Sequence, residues 1–242
     1  MGELFIGLMS GTSLDGVDGV LSDWTQAEQP RWLGHAFVPF DAALRQRFLD
    51  LHQAGHNELD MAHRAGLDLV RLYAQVTQNL LHSHGLRPDQ IRAIGAHGQT
   101  VRHRPVIDGG VGYSLQINQP ALLAELTGIT VVADFRSRDI AARGQGAPLV
   151  PAFHQALWSD PQRRVAVLNL GGIANLTLLH ADGRVTGFDC GPANVLMDLW
   201  ARRHLGRPMD EGGGWAAGGH VNAGLLQTLL QEPFFAQPAP KS

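Results

Sequence analysis

The residues with the most chemistry in this chain lie in the run Gly7-Leu8-Met9-Ser10-Gly11-Thr12-Ser13-Leu14-Asp15-Gly16-Val17-Asp18. It joins one apolar stretch, Leu4 to Ile6, to another, Val17 to Leu21, and so reads as strand, polar turn, strand. Glycine lets a backbone come close to an anion, and successive N–H groups in such a bend form a concave nest for phosphate oxygens. Gly11, Thr12, Ser13, Leu14, Gly16 and Val17 are therefore expected to surround the phosphates of a nucleotide. Asp15 and Asp18 cannot hold phosphate directly. Their use would be on a magnesium ion or its waters, with Asp15 the metal candidate, or on a substrate hydroxyl. Neither common phosphate motif, G-x-x-x-x-G-K-[ST] or G-x-G-x-x-G after a strand, is present. An ordinary polar hairpin turn would look the same at this level.

The elements that must carry this turn follow from periodicity. Trp32 to Val38 completes a three-stranded antiparallel meander. Asp41 caps a helix running to about His52, with Leu44, Phe48, Leu49 and Leu51 on its apolar side. A long helix spans about Glu58 to His84 and stops at Gly85. Arg92 to Ala96 is a short buried strand that delivers His97-Gly98-Gln99-Thr100 as a turn at its end. Tyr113 to Ile117 is a strand, Pro120 to Thr127 a helix with proline in its first turn, and Thr130 to Ala133 a strand ending at Asp134. A second block then repeats the plan. A helix over Pro148 to Trp158 precedes strands at Arg164 to Leu168, Ala174 to Leu179 and Val185 to Phe188, with helices over Ala193 to His204 and Val221 to Leu230.

Both blocks open with a meander whose first turn is polar and glycine-bearing; in the second block that turn is Asn169-Leu170-Gly171-Gly172-Ile173-Ala174-Asn175. This predicts an α/β chain with a duplicated ribonuclease-H-like fold, that of the acetate and sugar kinases, Hsp70 and actin, whose two turns embrace phosphates across a cleft. Two unrelated hairpins are the alternative. Residues 1–133 would form the first domain and 134–242 the second. Composition favours small-molecule partners: the 242 residues carry a formal charge of only −3, with no basic footprint for nucleic acid. One cysteine, Cys190, excludes an intrachain disulfide, and the 12 histidines are too scattered to suggest a metal cluster. No apolar run approaches the ~20 residues that span a bilayer, and no leader pattern opens the chain, so a cytoplasmic protein is expected.

Six motifs occur together and in order: the Gly7–Asp18 run, His97-Gly98-Gln99-Thr100, Ala133-Asp134-Phe135-Arg136, Gly144-Gln145-Gly146-Ala147-Pro148-Leu149-Val150-Pro151, Asn169–Asn175, and Phe188-Asp189-Cys190-Gly191-Pro192-Ala193-Asn194. In these the chain resembles the anhydro-N-acetylmuramic acid kinase family over essentially its whole length. The resemblance implies an ATP- and magnesium-dependent enzyme of peptidoglycan recycling. Water opens the anhydro bridge of 1,6-anhydro-N-acetylmuramic acid at C1 while O6 receives the γ-phosphoryl group, giving N-acetylmuramic acid 6-phosphate. It places Asn169, Gly171, Gly172 and Asn175 with the hairpin turn on the nucleotide, and leaves room for a homodimer. It also implies a C-terminally truncated member, since the family runs well beyond Ser242 and carries its adenosine contact there. A sugar-binding remnant without activity and another sugar or acetate kinase are the competing readings.

Asp189 is the expected base for the water. At a strand end, before a Gly-Pro turn that opens a helix, the helix N-terminus would keep it ionised. Capping that helix is the plainer use of an aspartate there, and the resemblance favours catalysis. His97, Gln99, Thr100, Asp134, Arg136 and Gln145 sit in glycine-flanked or strand-end positions suited to a sugar. Arg136 is the choice for the lactyl carboxylate, with a structural ion pair as its alternative; a hydrogen-bonded place in the site wall is the alternative for His97.

Overall fold

A computed structural model describes residues 3–26 and 29–242. The chain divides into two compact units, Met1–Gly146 and Ala147–Ser242. The segment after Ala133 up to Gly146, expected to open the second domain, thus belongs with the first.

The first unit is a six-stranded mixed sheet covered by helices. Strands β1 (Leu4–Ser10), β2 (Gly16–Asp23) and β3 (Arg31–Pro39) form the antiparallel meander. Strand β4 (Ile91–Ile107) lies parallel to β1 and to the short β6 (Val131–Ala133), and its second half pairs antiparallel with β5 (Gly110–Ile117), in the order β3-β2-β1-β4-β5 with β6 also on β4. Helix α1 (Ala42–Asp50) begins where Asp41 Oδ1 accepts the Leu44 N–H at 2.7 Å. Leu44, Phe48 and Leu51 are buried as expected, whereas Leu49 faces outward at 44 % exposure, since one residue in the turn falls off the 3.6-residue stripe.

Helix α2 (Glu58–Ser83) packs on β2 and β3 and supplies Leu69, Val70, Tyr73, Val76 and Leu80 to the core, where they meet Ile6, Leu8, Val17, Leu21 and Ile94. Truncating one such fully buried leucine would cost about 2–5 kcal/mol. Helix α3 (Pro120–Thr127) starts on its proline and ends where Gly128 adopts a left-handed conformation. A five-residue helix α4 (Ser137–Ala141) follows β6.

His97-Gly98-Gln99-Thr100 is not a turn. Strand β4 runs through it for 17 residues, changing partners at Gln99, directly after Gly98, whose φ is +77°. The ladder with β1 slips between Leu8/Ala96 and Ser10/Gln99. A Cβ at position 98 would lie 2.7 Å from the Ile117 carbonyl oxygen, so only glycine fits the kink.

In the second unit, α5 (Pro151–Trp158) precedes a three-stranded antiparallel sheet of β7 (Val165–Leu170), β8 (Ile173–Leu179) and β9 (Val185–Pro192) in that order. Helices α6 (Asn194–Leu205), α7 (Ala223–Leu229) and α8 (Pro233–Ala236) complete it. The meander expected from the sequence is present, with β9 running four residues past Phe188.

Candidate functional site

The three mutually parallel segments of the first unit, β1, the first half of β4 and β6, end side by side. Their carboxyl ends carry Ser10–Gly11, His97–Gly98 and Asp134–Arg136, the position at which open α/β sheets bind ligands.

In the β1–β2 loop, Leu14 N–H donates to the Gly11 carbonyl at 3.2 Å, and the Leu14 side chain is buried with φ +52°. Leu14 therefore anchors the bend. Gly16 and Val17 are also enclosed, so these three can meet a ligand only through backbone atoms. Thr12 and Asp15 are exposed, and Gly11 and Ser13 half-buried. Nothing lies within 4 Å of where a Gly11 Cβ would stand, so the space beside this glycine is open. The Asp15 carboxylate accepts the Gly16 N–H at 3.1 Å, and Asp18 is held by His35 Nε2 at 2.9 Å on the β2–β3 pair.

The kink in β4 frees carbonyls that the ladder would otherwise use. Gln116 Nε2 donates to the His97 carbonyl at 2.7 Å and Asn118 Nδ2 to that of Ala96 at 3.3 Å. Gln99 is fully buried, and its amide donates to the Gly11 carbonyl at 3.1 Å. In this arrangement it holds the loop. Gln99 Oε1, Thr100 Oγ1 and Gln116 Oε1 are buried acceptors without a hydrogen-bond partner, and Thr100 and Gln116 face each other in the β4–β5 ladder.

Arg136 Nη2 donates to His97 Nε2 at 2.8 Å and Nη1 to the Gly146 carbonyl at 2.6 Å. Asp139 Oδ2 accepts the Gly146 N–H at 2.7 Å, so Gly146 is held at both its N–H and its carbonyl, by Asp139 in α4 and by Arg136 just before it. Burial first, and the Arg136 charge second, push His97 down to about 4; the same two causes lower His103, which also bonds the Gln145 backbone. The guanidinium thus keeps its charge beside two neutral imidazoles, an arrangement suited to a carboxylate. Asp134, at φ +59°, is exposed and accepts the Ser137 hydroxyl at 2.6 Å.

In the second unit, Asn169 pairs with Asn175 and Asn175 with Asp189, a polar row across β7, β8 and β9 on one sheet face. Asn175 Oδ1 is buried without a partner. Asp189 lies inside β9, where its N–H donates to the Lys241 carbonyl at 2.9 Å. The Gly171 and Gly172 carbonyls accept the N–H groups of Asn194, Ala193 and Val195. The start of α6 is therefore satisfied by the β7–β8 turn and capped at Ala193, not at Asp189. Asp189 thus stands within β9 rather than at a strand end, and the alternative of capping α6 does not apply to it.

Residues 3–242 match the family described as anhydro-N-acetylmuramic acid kinase. The chain belongs to that family. Relatives named anhydro-N-acetylmuramic acid kinase include those of Variovorax paradoxus strain S110 (58 % identical, 100 % of this chain and 65 % of the relative) and Ralstonia nicotianae (56 %, covering 99 % and 64 %). That of Bordetella pertussis is 58 % identical, covering 100 % and 62 %. The chain thus spans slightly less than two thirds of the length of these curated relatives. Solved structures resemble it more distantly. An ethanolamine utilization protein EutJ from Carboxydothermus hydrogenoformans superposes with a TM-score of 0.42 at 13 % identity, over 87 % of this chain and 59 % of that one, too loosely to carry an argument.

For a member of the anhydro-N-acetylmuramic acid kinase family, the residues that sequence reasoning missed are the ones that hold others. Tyr73 and Ser10 meet Gly98 behind the loop, and Asp139 grips Gly146. Asp139 stands three residues after Arg136, a helical spacing that could have been noticed; Tyr73 sits in an apolar stripe where its hydroxyl gives no sequence signal. Among the described residues no group of three or more His, Cys, Asp or Glu could hold a metal, and no helix is long and apolar enough to cross a membrane.

Proposed function

We propose that this chain carries the site of an ATP-dependent kinase that opens the anhydro bridge of 1,6-anhydro-N-acetylmuramic acid and phosphorylates its O6. The observation that carries the reading is the family match together with Arg136 beside neutral His97 and His103 at the carboxyl ends of β1, β4 and β6. In this reading Arg136 takes the lactyl carboxylate, and Thr100, Asp134 and Gln145 supply polar partners to the ring. Gly11, Thr12 and Ser13 are the first unit's phosphate-cradling residues, and Asn169, Gly171, Gly172 and Asn175 are the second unit's nucleotide candidates. The duplicated ribonuclease-H-like fold, with its two meanders, belongs to the same reading, as does a cytoplasmic setting.

Asp189 takes a proton from water, whose oxygen bonds to C1 as the C1–O6 bond breaks. O6 takes the γ-phosphoryl group as its bond to the β-phosphate oxygen breaks, releasing ADP. A magnesium ion bound with ATP would offset phosphate charge. Such an ion keeps most of its waters and asks for one or two carboxylates, which the exposed Asp15 fits.

A thermal-shift titration tests this. Stabilisation by both the anhydro sugar and ATP is expected, following the free-ligand concentration over Kd. A response to the sugar alone would favour a binding remnant, and a response to neither would remove the reading.

A further inference from the structure

Tyr73 has none of its surface exposed, and core packing alone would be served by phenylalanine. Its hydroxyl instead accepts the Gly98 N–H at 2.9 Å and meets Ser10 Oγ at 3.2 Å. Ser10 Oγ donates to the Gly98 carbonyl at 3.0 Å, and His97 Nδ1 meets the same carbonyl at 2.6 Å. His97 Nε2 meets Arg136. The protons can be placed from one end. A guanidinium only donates, so His97 Nε2 accepts and Nδ1 carries the hydrogen. Gly98 O then takes the Nδ1 proton and the single proton of Ser10, so the Ser10–Tyr73 contact is filled by the tyrosine O–H. Burial pushes Tyr73 up to about 12, so the ring does not change charge near neutrality.

We propose that Tyr73 is a positioning residue for the phosphoryl transfer: its hydroxyl ties the side chain of Ser10, next to the Gly11 loop proposed to hold phosphate, to the Gly98 backbone beside the His97–Arg136 pair proposed to hold the sugar carboxylate. This rests on the function proposed above, but its structural half needs no ligand. Without the hydroxyl, the Gly98 N–H is a buried donor without a partner and Ser10 loses its clamp. The loop turn closed by Leu14 N–H on the Gly11 carbonyl then opens more readily.

The test is amide hydrogen exchange on the whole chain, resolved by residue, for wild type, Tyr73→Phe and Ser10→Ala. Exchange at Leu14 is expected to quicken roughly 10- to 100-fold in Tyr73→Phe, while Leu123 in α3 holds within about threefold. Ser10→Ala should match it, and the double variant should add little, because the groups act as one unit. ATP affinity should fall by a similar factor, with the anhydro-sugar affinity held, since the Arg136–Gly146 contact persists. Exchange that rises equally at Leu14 and Leu123, or at neither, would overturn the positioning role. Faster exchange at Leu14 in a protein whose wild type binds no ATP would uphold the clamp and defeat the proposed function instead.

Discussion

His97 and Arg136 meet at 2.8 Å, Nε2 to Nη2, and this contact fixes the imidazole as neutral with its proton on Nδ1. Its folded pKa of about 4 lies below the ordinary 6.5. Between those values the unfolded chain binds a proton that the folded chain refuses, so stability is lost as pH falls from about 6.5 to about 4. Urea unfolding across that window should show wild type losing more than His97→Asn, by at most about 3 kcal/mol. Parallel pH profiles would mean that His97 is not held neutral.

Gly11 faces open space, so a valine there meets nothing in the protein itself. Gly11→Val is expected to keep its melting temperature while ATP affinity falls roughly tenfold or more, with the sugar affinity unchanged. Calorimetric titrations of both ligands check this. Loss of sugar affinity with ATP binding intact would move the phosphate site elsewhere.

Asp189→Asn keeps the size of the side chain and its place opposite Asn175, but cannot accept a proton from water. Turnover should drop about 10²–10⁴-fold with ATP affinity nearly unaltered. Near-normal turnover in the asparagine variant would take Asp189 out of the chemistry.

The second unit exposes Leu168, Leu170, Trp200, Leu225, Leu229 and Leu230, each more than half accessible. Apolar surface on that scale drives self-association. Sedimentation at rising concentration should show mass-dependent association, and a monodisperse monomer would count against it.

What the sequence made legible is local. Asp41, Pro120 and Gly128 mark helix ends by side-chain and backbone chemistry, and α3 has the bounds that they dictate. Gly98 misled because glycine between polar residues reads as a turn, whereas here it kinks a continuous strand against the Ile117 carbonyl. The Gly191-Pro192 pair likewise reads as a strand stop, yet β9 runs through both. Helix α4 is too short to show a period. The row Asn169–Asn175–Asp189 needed strand register, which motif spacing does not contain. The work of Tyr73, Gln99 and Asp139 needed three-dimensional contacts between segments as much as 88 residues apart.

The most direct measurement is the mass of the sugar recovered after incubating the protein with ATP, magnesium and 1,6-anhydro-N-acetylmuramic acid. The expected product is heavier by one phosphoryl group and one water, with ADP formed in equal amount. Sugar recovered unchanged, or a phosphorylated sugar that has not gained water, would contradict it.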